Sequence, residues 1–257
     1  MRPIWKGTLS FGLVNIGVKL LSACKDRQLK FHLFHKKDKS PIKYARICEK
    51  EQKEVPLDEI AKGFEISKDK YAYLDDEDFE KANVHKTNSI DIVSFAKVDE
   101  IDPIFYEKPY YLIPDKITQK AYYLLADAMK QTNMTAIVRF VLKNHEYLGA
   151  ILAKENIMIL HQLRFMSEIK QIKVQTQKTV KSKKEHNIAV KLIEELTEKF
   201  NPQKYKDSYV EDLKNLIQKK SKGKKIVPNG KKPKNTKSNE LFDSLSKSLK
   251  RSKKVSA

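Results

Sequence analysis

Apolar residues in the first half of the chain come in short runs rich in β-branched and aromatic side chains, with turn residues between them. Residues 134–143 alternate most cleanly. Ala136, Val138, Phe140 and Leu142 fall on one side and Ile137, Arg139, Val141 and Lys143 on the other, the period of a strand. Asn144-His145-Glu146 makes a turn, residues 147–153 return as an antiparallel partner, and residues 156–163 supply a third strand. Residues 90–101 read as a strand ended by Asp102-Pro103, and 110–113 as a short one closed by Pro114, because proline cannot donate to a ladder. Consecutive antiparallel strands of this kind predict a sheet that closes as a barrel.

The period then lengthens. Residues 118–132 predict a helix with Ala121, Leu124, Leu125, Ala128 and Met129 on one face. Ala189, Leu192, Ile193, Leu196 and Phe200 recur at helical spacing until Asn201-Pro202 stops them. Ser208 followed by Glu211 fits a capping box, opening a helix that buries Val210, Leu213, Leu216 and Ile217. Beyond Lys219 the Lys/Ser/Asn/Pro-rich sequence predicts disorder. Within it, Leu241, Phe242, Leu245 and Leu249 are spaced either for a short amphipathic, partner-binding helix or as a few apolar residues in a floppy tail. The fold class is therefore mixed β and α: an antiparallel β-barrel core with a long basic insertion, C-terminal helices and a disordered basic tail.

Charge sharpens this picture. The 257 residues hold 52 Lys+Arg against 33 Asp+Glu, a net charge of +19. Residues 215–257 alone contain fourteen basic and two acidic residues, +12 of that total. A mildly basic folded part with a strongly basic tail, including Lys224, Lys225, Lys231 and Lys232, points to a polyanion partner, most often nucleic acid. A second basic concentration lies at Lys36, Lys37, Lys39, Lys43, Arg46, Lys50 and Lys53, in a stretch with too few apolar residues for core and too many charges for a tight turn. A partly extended insertion of this composition suits a phosphate backbone; the bland alternative is a solvated loop.

Catalytic signatures are sparse. Asp75-Asp76-Glu77-Asp78 could suggest a magnesium-dependent nuclease, but adjacent carboxylates point apart, and such a run more often supplies the N-terminal charge of a helix. His32, His35 and Cys48 invite zinc, yet Glu51 stands where a second cysteine would complete a pair, so no metal and no cofactor are expected. The 7 glycines form no phosphate-binding loop. Binding rather than turnover is expected. Two cysteines, Cys24 and Cys48, form no disulfide framework and suit the cytosol. No run of 18 apolar residues exists to span a membrane. The opening segment mimics a lipoprotein signal ending at Cys24, but Asn15 and Lys19 interrupt its apolar stretch, and it reads better as a strand.

Residues 1–16, Met-Arg-Pro-Ile-Trp-Lys-Gly-Thr-Leu-Ser-Phe-Gly-Leu-Val-Asn-Ile, closely resemble the start of bacterial Ku proteins of non-homologous end joining. The resemblance continues in order through Lys30-Phe31-His32-Leu33-Phe34-His35, residues 42–48, residues 75–78, Ile101-Asp102-Pro103-Ile104, Tyr110-Tyr111-Leu112, Phe200-Asn201-Pro202 and Tyr205-Lys206-Asp207, covering about residues 1–217. It implies a β-barrel core over 1–217, a DNA-encircling bridge over about 31–74, C-terminal helices over about 184–217 and a tail over 218–257. It also implies a non-enzymatic homodimer that rings double-stranded DNA ends without reading sequence and recruits a multifunctional ATP-dependent DNA ligase, near the nucleoid when DNA is broken. Gly17 replaces the proline usual in relatives, and Glu51 breaks the Cys-x-x-Cys many of them carry, so a family zinc knuckle is not carried over. The alternatives from other classes are a histone-like compacting protein and the nuclease above.

Overall fold

The computed structural model describes residues 2–25, 29–82, 88–143, 145–172, 182–222 and 241–255. The chain divides into two compact units, Met1–Ile172 and Lys173–Ala257. In the first, strands β1 (Trp5–Phe11) and β2 (Val14–Ser22) form a hairpin. Its turn needs Gly12, whose φ of +58° lies in the left-handed region. The opening segment is thus two strands rather than one. The insertion holds β3 (Lys62–Ser67), β4 (Lys70–Leu74) and helix α1 (Asp76–Ala82), and after it come β5 (Ser89–Lys97), β6 (Tyr106–Pro114), helix α2 (Gln119–Thr132), β7 (Met134–Leu142), β8 (His145–Lys154) and β9 (Ile157–Leu163).

Seven strands close into a barrel in the order β1-β2-β6-β9-β8-β7-β5. Every junction is antiparallel except the last, where β1 meets β5 in parallel at Thr8↔Ser89, Leu9↔Ile90 and Ser10↔Asp91. The alternation seen in the sequence is the alternation of burial. Ile16, Val18 and Leu20 on β2, and Ala136, Val138 and Phe140 on β7, all face the interior. Each large aliphatic side chain sequestered there contributes on the order of 1.5–3 kcal/mol. β6 is longer than the four residues expected, because it absorbs Pro109 at a register shift between Tyr106 and Pro109.

Helix α2 belongs to the core, rotated from expectation. Its buried residues are Tyr122, Leu125, Ala126 and Met129, whereas Leu124 is 71 % exposed. Ala121, Leu124 and Ala128 instead line an open apolar groove of about 510 Å³ with Phe11, Val14 and Phe95. The reason is Tyr122. Its hydroxyl donates to the Leu112 carbonyl (2.7 Å) and accepts from the Met158 amide (2.6 Å), clamping the helix to the β6–β9 ladder. Burial pushes the Tyr122 phenol up to about 12, so it stays a donor throughout the working pH range. Where α2 begins, Gly17 gives the chain room. A Cβ there would lie 2.9 Å from the Asp115 carboxylate, and the Gly17 carbonyl accepts from both the Asp115 amide and the Thr118 hydroxyl.

The second unit is helical: α3 (Lys183–Leu196), α4 (Ser208–Ser221) and α5 (Leu241–Val255), with α5 packed against α3. The cap of α4 is Asp207, not Ser208; its carboxylate accepts from the Val210 amide (3.2 Å). Val210, Leu213 and Leu216 are half-buried, and Ile217 is exposed, so the face expected to be buried is only partly covered. The helix also runs two residues past Lys219.

Candidate nucleic-acid interface

Sixty-six residues separate Ser22 from Ser89, and among them the described residues 29–82 pair with no strand of the barrel. No residue from 29 to 75 is buried, nor are Glu77, Asp78, Phe79 and Lys81. Composition explains this: between residues 36 and 54 there are seven cationic and four acidic side chains, and desolvating them would cost more than the few apolar neighbours return. The expected basic insertion is present as a projecting segment.

Its local order comes from a repeat that the sequence reading missed. The His35 amide donates to the Ser40 carbonyl (2.8 Å) and the Lys39 amide to the His35 carbonyl (3.0 Å). Thirteen residues later the Cys48 amide donates to the Lys53 carbonyl (2.8 Å) and the Gln52 amide to the Cys48 carbonyl (2.8 Å). Each turn is flanked by a β-bridge, Phe34↔Pro41 and Ile47↔Glu54. Each also places its fifth residue in the left-handed region, Lys39 at φ 61° and Gln52 at φ 55°. The signal was available as an apolar residue, then His or Cys, then a carboxylate three residues on (His35/Asp38 and Cys48/Glu51). Different residue types in the two copies concealed it.

The two turns carry the candidate cations. Lys36, Lys37 and Lys39 lie in the first, Lys50 and Lys53 in the second, and Lys43 and Arg46 on the connection; all seven are exposed. Among the described residues no carboxylate pairs with any of them. Lys39 donates to the Lys36 carbonyl (3.0 Å). Asp38 is occupied locally: it accepts from the Ser40 amide (3.0 Å) and lies 3.0 Å from His35 Nδ1. The Ser40 hydrogen bond, foremost, holds its carboxyl below the ordinary carboxylate range. A row of unpaired cations on a projecting chain can meet phosphates without first breaking ion pairs.

The remaining candidates separate cleanly. Lys224, Lys225, Lys231 and Lys232 lie outside the described residues. On α5, Leu241 and Phe242 are exposed, while Leu245 and Leu249 are half-buried. Asp75 and Asp78 are spent on a helix start: the Asp78 amide donates to Asp75 (2.8 Å) and the Asp75 amide to Asp78 (3.2 Å) as α1 (Asp76–Ala82) begins. Both cysteines are free thiols, Cys24 exposed and Cys48 half-buried. Among the described residues, no three His, Cys, Asp or Glu side chains gather as a metal site would require. No helix among them is long and apolar enough to cross a membrane.

Residues 10–192 match the family described as the Ku70/Ku80 beta-barrel domain. The chain belongs to the Ku family. It is similar to the non-homologous end joining protein Ku of Archaeoglobus fulgidus, 40% identical over 230 residues, which are 88% of this chain and 91% of that one. It is also similar to the proteins of the same name from Solibacter usitatus, 36% identical over 248 residues (96% and 92% of the two chains), and from Bacillus subtilis, 36% identical over 217 residues (83% and 70%). Ku membership makes this a protein of DNA repair by non-homologous end joining, and the barrel is the part of the fold by which the family is defined.

Proposed function

We propose that two copies of this chain form a ring that threads onto the ends of linear double-stranded DNA, holds them through phosphates without reading sequence, and recruits an ATP-dependent DNA ligase. No catalytic role is assigned to any residue. The observation that carries the reading is the basic segment: a Ku barrel with an insertion in which residues 29–75 are all unburied, bearing seven cations free of carboxylate partners among the described residues. The same segment supports self-association. Phe31, Leu33, Phe34, Ile42, Ile47 and Tyr44, the last 87 % exposed, stand in solvent in a single copy. That much exposed apolar surface suits an interface, and a two-fold pair is the commonest closed arrangement. For the ligase, Leu241 and Phe242 are the exposed part of the candidate α5 surface.

Competition between linear and covalently closed duplex of equal length tests the ring. Linear DNA should win strongly, because a closed ring needs a free end. Equal affinity for circles would instead indicate general compaction of nucleic acid and overturn the proposal.

The tail is assigned an accessory role. Its +12 charge is attracted to DNA through counterion release whatever the sequence, and tethering raises its effective concentration once a ring is loaded. Truncation after Ser221 should leave a dimeric, end-selective protein that binds less tightly at moderate salt, with a proportionally larger loss on closed circles. Light scattering and gel shift over a salt series measure both properties. Loss of dimerisation would show that the core does not end before the tail.

A further inference from the structure

Within the projecting segment, β3 (Lys62–Ser67) and β4 (Lys70–Leu74) form a two-stranded antiparallel sheet of their own. No other strand among the described residues pairs with either outer edge. A lone hairpin is marginal in water, and this one leaves Phe64, Ile66, Tyr71 and Tyr73 exposed. The two edges are not equivalent. β3 is broken by a register shift between Glu65 and Ser67, a device that discourages further pairing. β4 pairs regularly along its inner side, has no proline and reads Lys70-Tyr71-Ala72-Tyr73-Leu74.

That sequence is nearly a palindrome about Ala72. If β4 meets β4 of a second copy antiparallel across a two-fold axis on Ala72, Ala72 faces Ala72. Tyr71 then faces Tyr73 of the second copy, twice over, on the other side of the sheet. Cross-strand aromatic pairs are among the most favourable, and the two alanines leave room at the axis. The apolar sides also join. Phe64 is the inner partner of Ala72, so Phe64, Ala72, Ala72 and Phe64 run in one row across four strands. Tyr71 and Tyr73 flank Gly63, where a Cβ would stand in ordinary contact, 3.6 Å from both side chains.

We propose that the outer edge of β4 is a self-pairing surface, and that two copies close the ring by a continuous four-stranded sheet β3-β4-β4-β3 centred on Ala72. The proposal rests on the homodimer above and specifies where it is joined. Its test is a single cysteine at the axis. Directly opposed antiparallel residues have Cα atoms about 4.5–5.5 Å apart, within the span of a disulfide. The full chain carrying Cys24→Ser, Cys48→Ser and Ala72→Cys should convert mostly to a covalent dimer on mild oxidation with copper–phenanthroline. Ser67→Cys in the same background, on the broken outer strand, should not. A mixture of Tyr71→Cys and Tyr73→Cys chains should cross-link to each other in preference to themselves, which reports register independently of any effect of substituting Ala72. Light scattering separates the two levels of failure. A monomeric parent protein overturns the ring itself; a dimeric parent whose Ala72→Cys and mixed tyrosine variants stay uncross-linked overturns the β4 edge alone.

Discussion

Alanine at Lys37, Lys43 and Arg46 together should weaken binding to duplex ends by roughly a hundredfold or more at 0.1 M salt, and by the same factor on every sequence tested. The size follows from counterion release: each phosphate contact on duplex DNA adds about 0.9 to the slope of log affinity against log salt, so three lost contacts flatten it by roughly 2.7 per chain. The three side chains run from the first turn along the connection to the second. Lys37 is in the first turn and Lys43 and Arg46 lead into the second, each exposed and none paired with a carboxylate among the described residues. Their removal leaves no buried charge behind, so the fold should be untouched and thermal melting unchanged. Gel shift or anisotropy over 50–300 mM salt, on several unrelated sequences, measures slope and affinity together. An unaltered slope would mean these cations are only solvated, and a sequence-dependent loss would mean that the segment reads bases.

The largest stability effect should come from one oxygen atom. Tyr122→Phe keeps the ring and its packing but removes the hydroxyl that joins the Leu112 carbonyl to the Met158 amide. Both groups lie where Leu112, Met158 and Tyr122 are fully buried, so water cannot replace the lost partner. A buried polar group left unsatisfied costs about 1–3 kcal/mol, and two are created here, giving an expected loss of roughly 2–6 kcal/mol. Urea unfolding should show a lower midpoint with an unchanged slope. A midpoint within experimental error of the parent would mean that β6 and β9 close over the gap and pair directly.

Legibility in the sequence followed the physics of each element. β7 was readable because Ala136, Val138 and Phe140 are buried while Arg139 is exposed, and burial of that kind writes a period of two; β8, with Gly149, Ala150 and Ile151 all buried in succession, was legible only through the turn that precedes it. Helix α2 was found with its inner face offset: Leu125 and Met129 are buried as expected, but Tyr122 takes the place given to Leu124. Apolarity alone ranks Leu124 above Tyr122, and only a partner for the hydroxyl, far away in sequence, reverses the order. Pro109 hid the first half of β6, since proline within a run is an argument against a strand unless a bulge accommodates it. The basic segment was visible as composition, whereas its paired turns were not: backbone hydrogen bonds and left-handed residues at Lys39 and Gln52 leave little compositional trace. The β3–β4 hairpin escaped notice because it has no buried face to impose alternation.

The parallel seam between β1 and β5 bears on how the chain assembles in time. β1 and β2 are made first, yet their outer partners are β5 and β6, and the 66-residue excursion must be looped out before either junction can form. Closing a loop costs entropy that grows only with the logarithm of its length, about 0.6 kcal/mol per doubling. A longer or shorter excursion would therefore alter the equilibrium little, whereas pairings this distant along the chain are slow to form. The first hairpin, with Leu13 at its tip and Phe11 beside it both exposed, must wait for the rest of the barrel. The length of this excursion is thus free to drift across evolution at small thermodynamic expense, and the constraint falls on the kinetics of barrel closure.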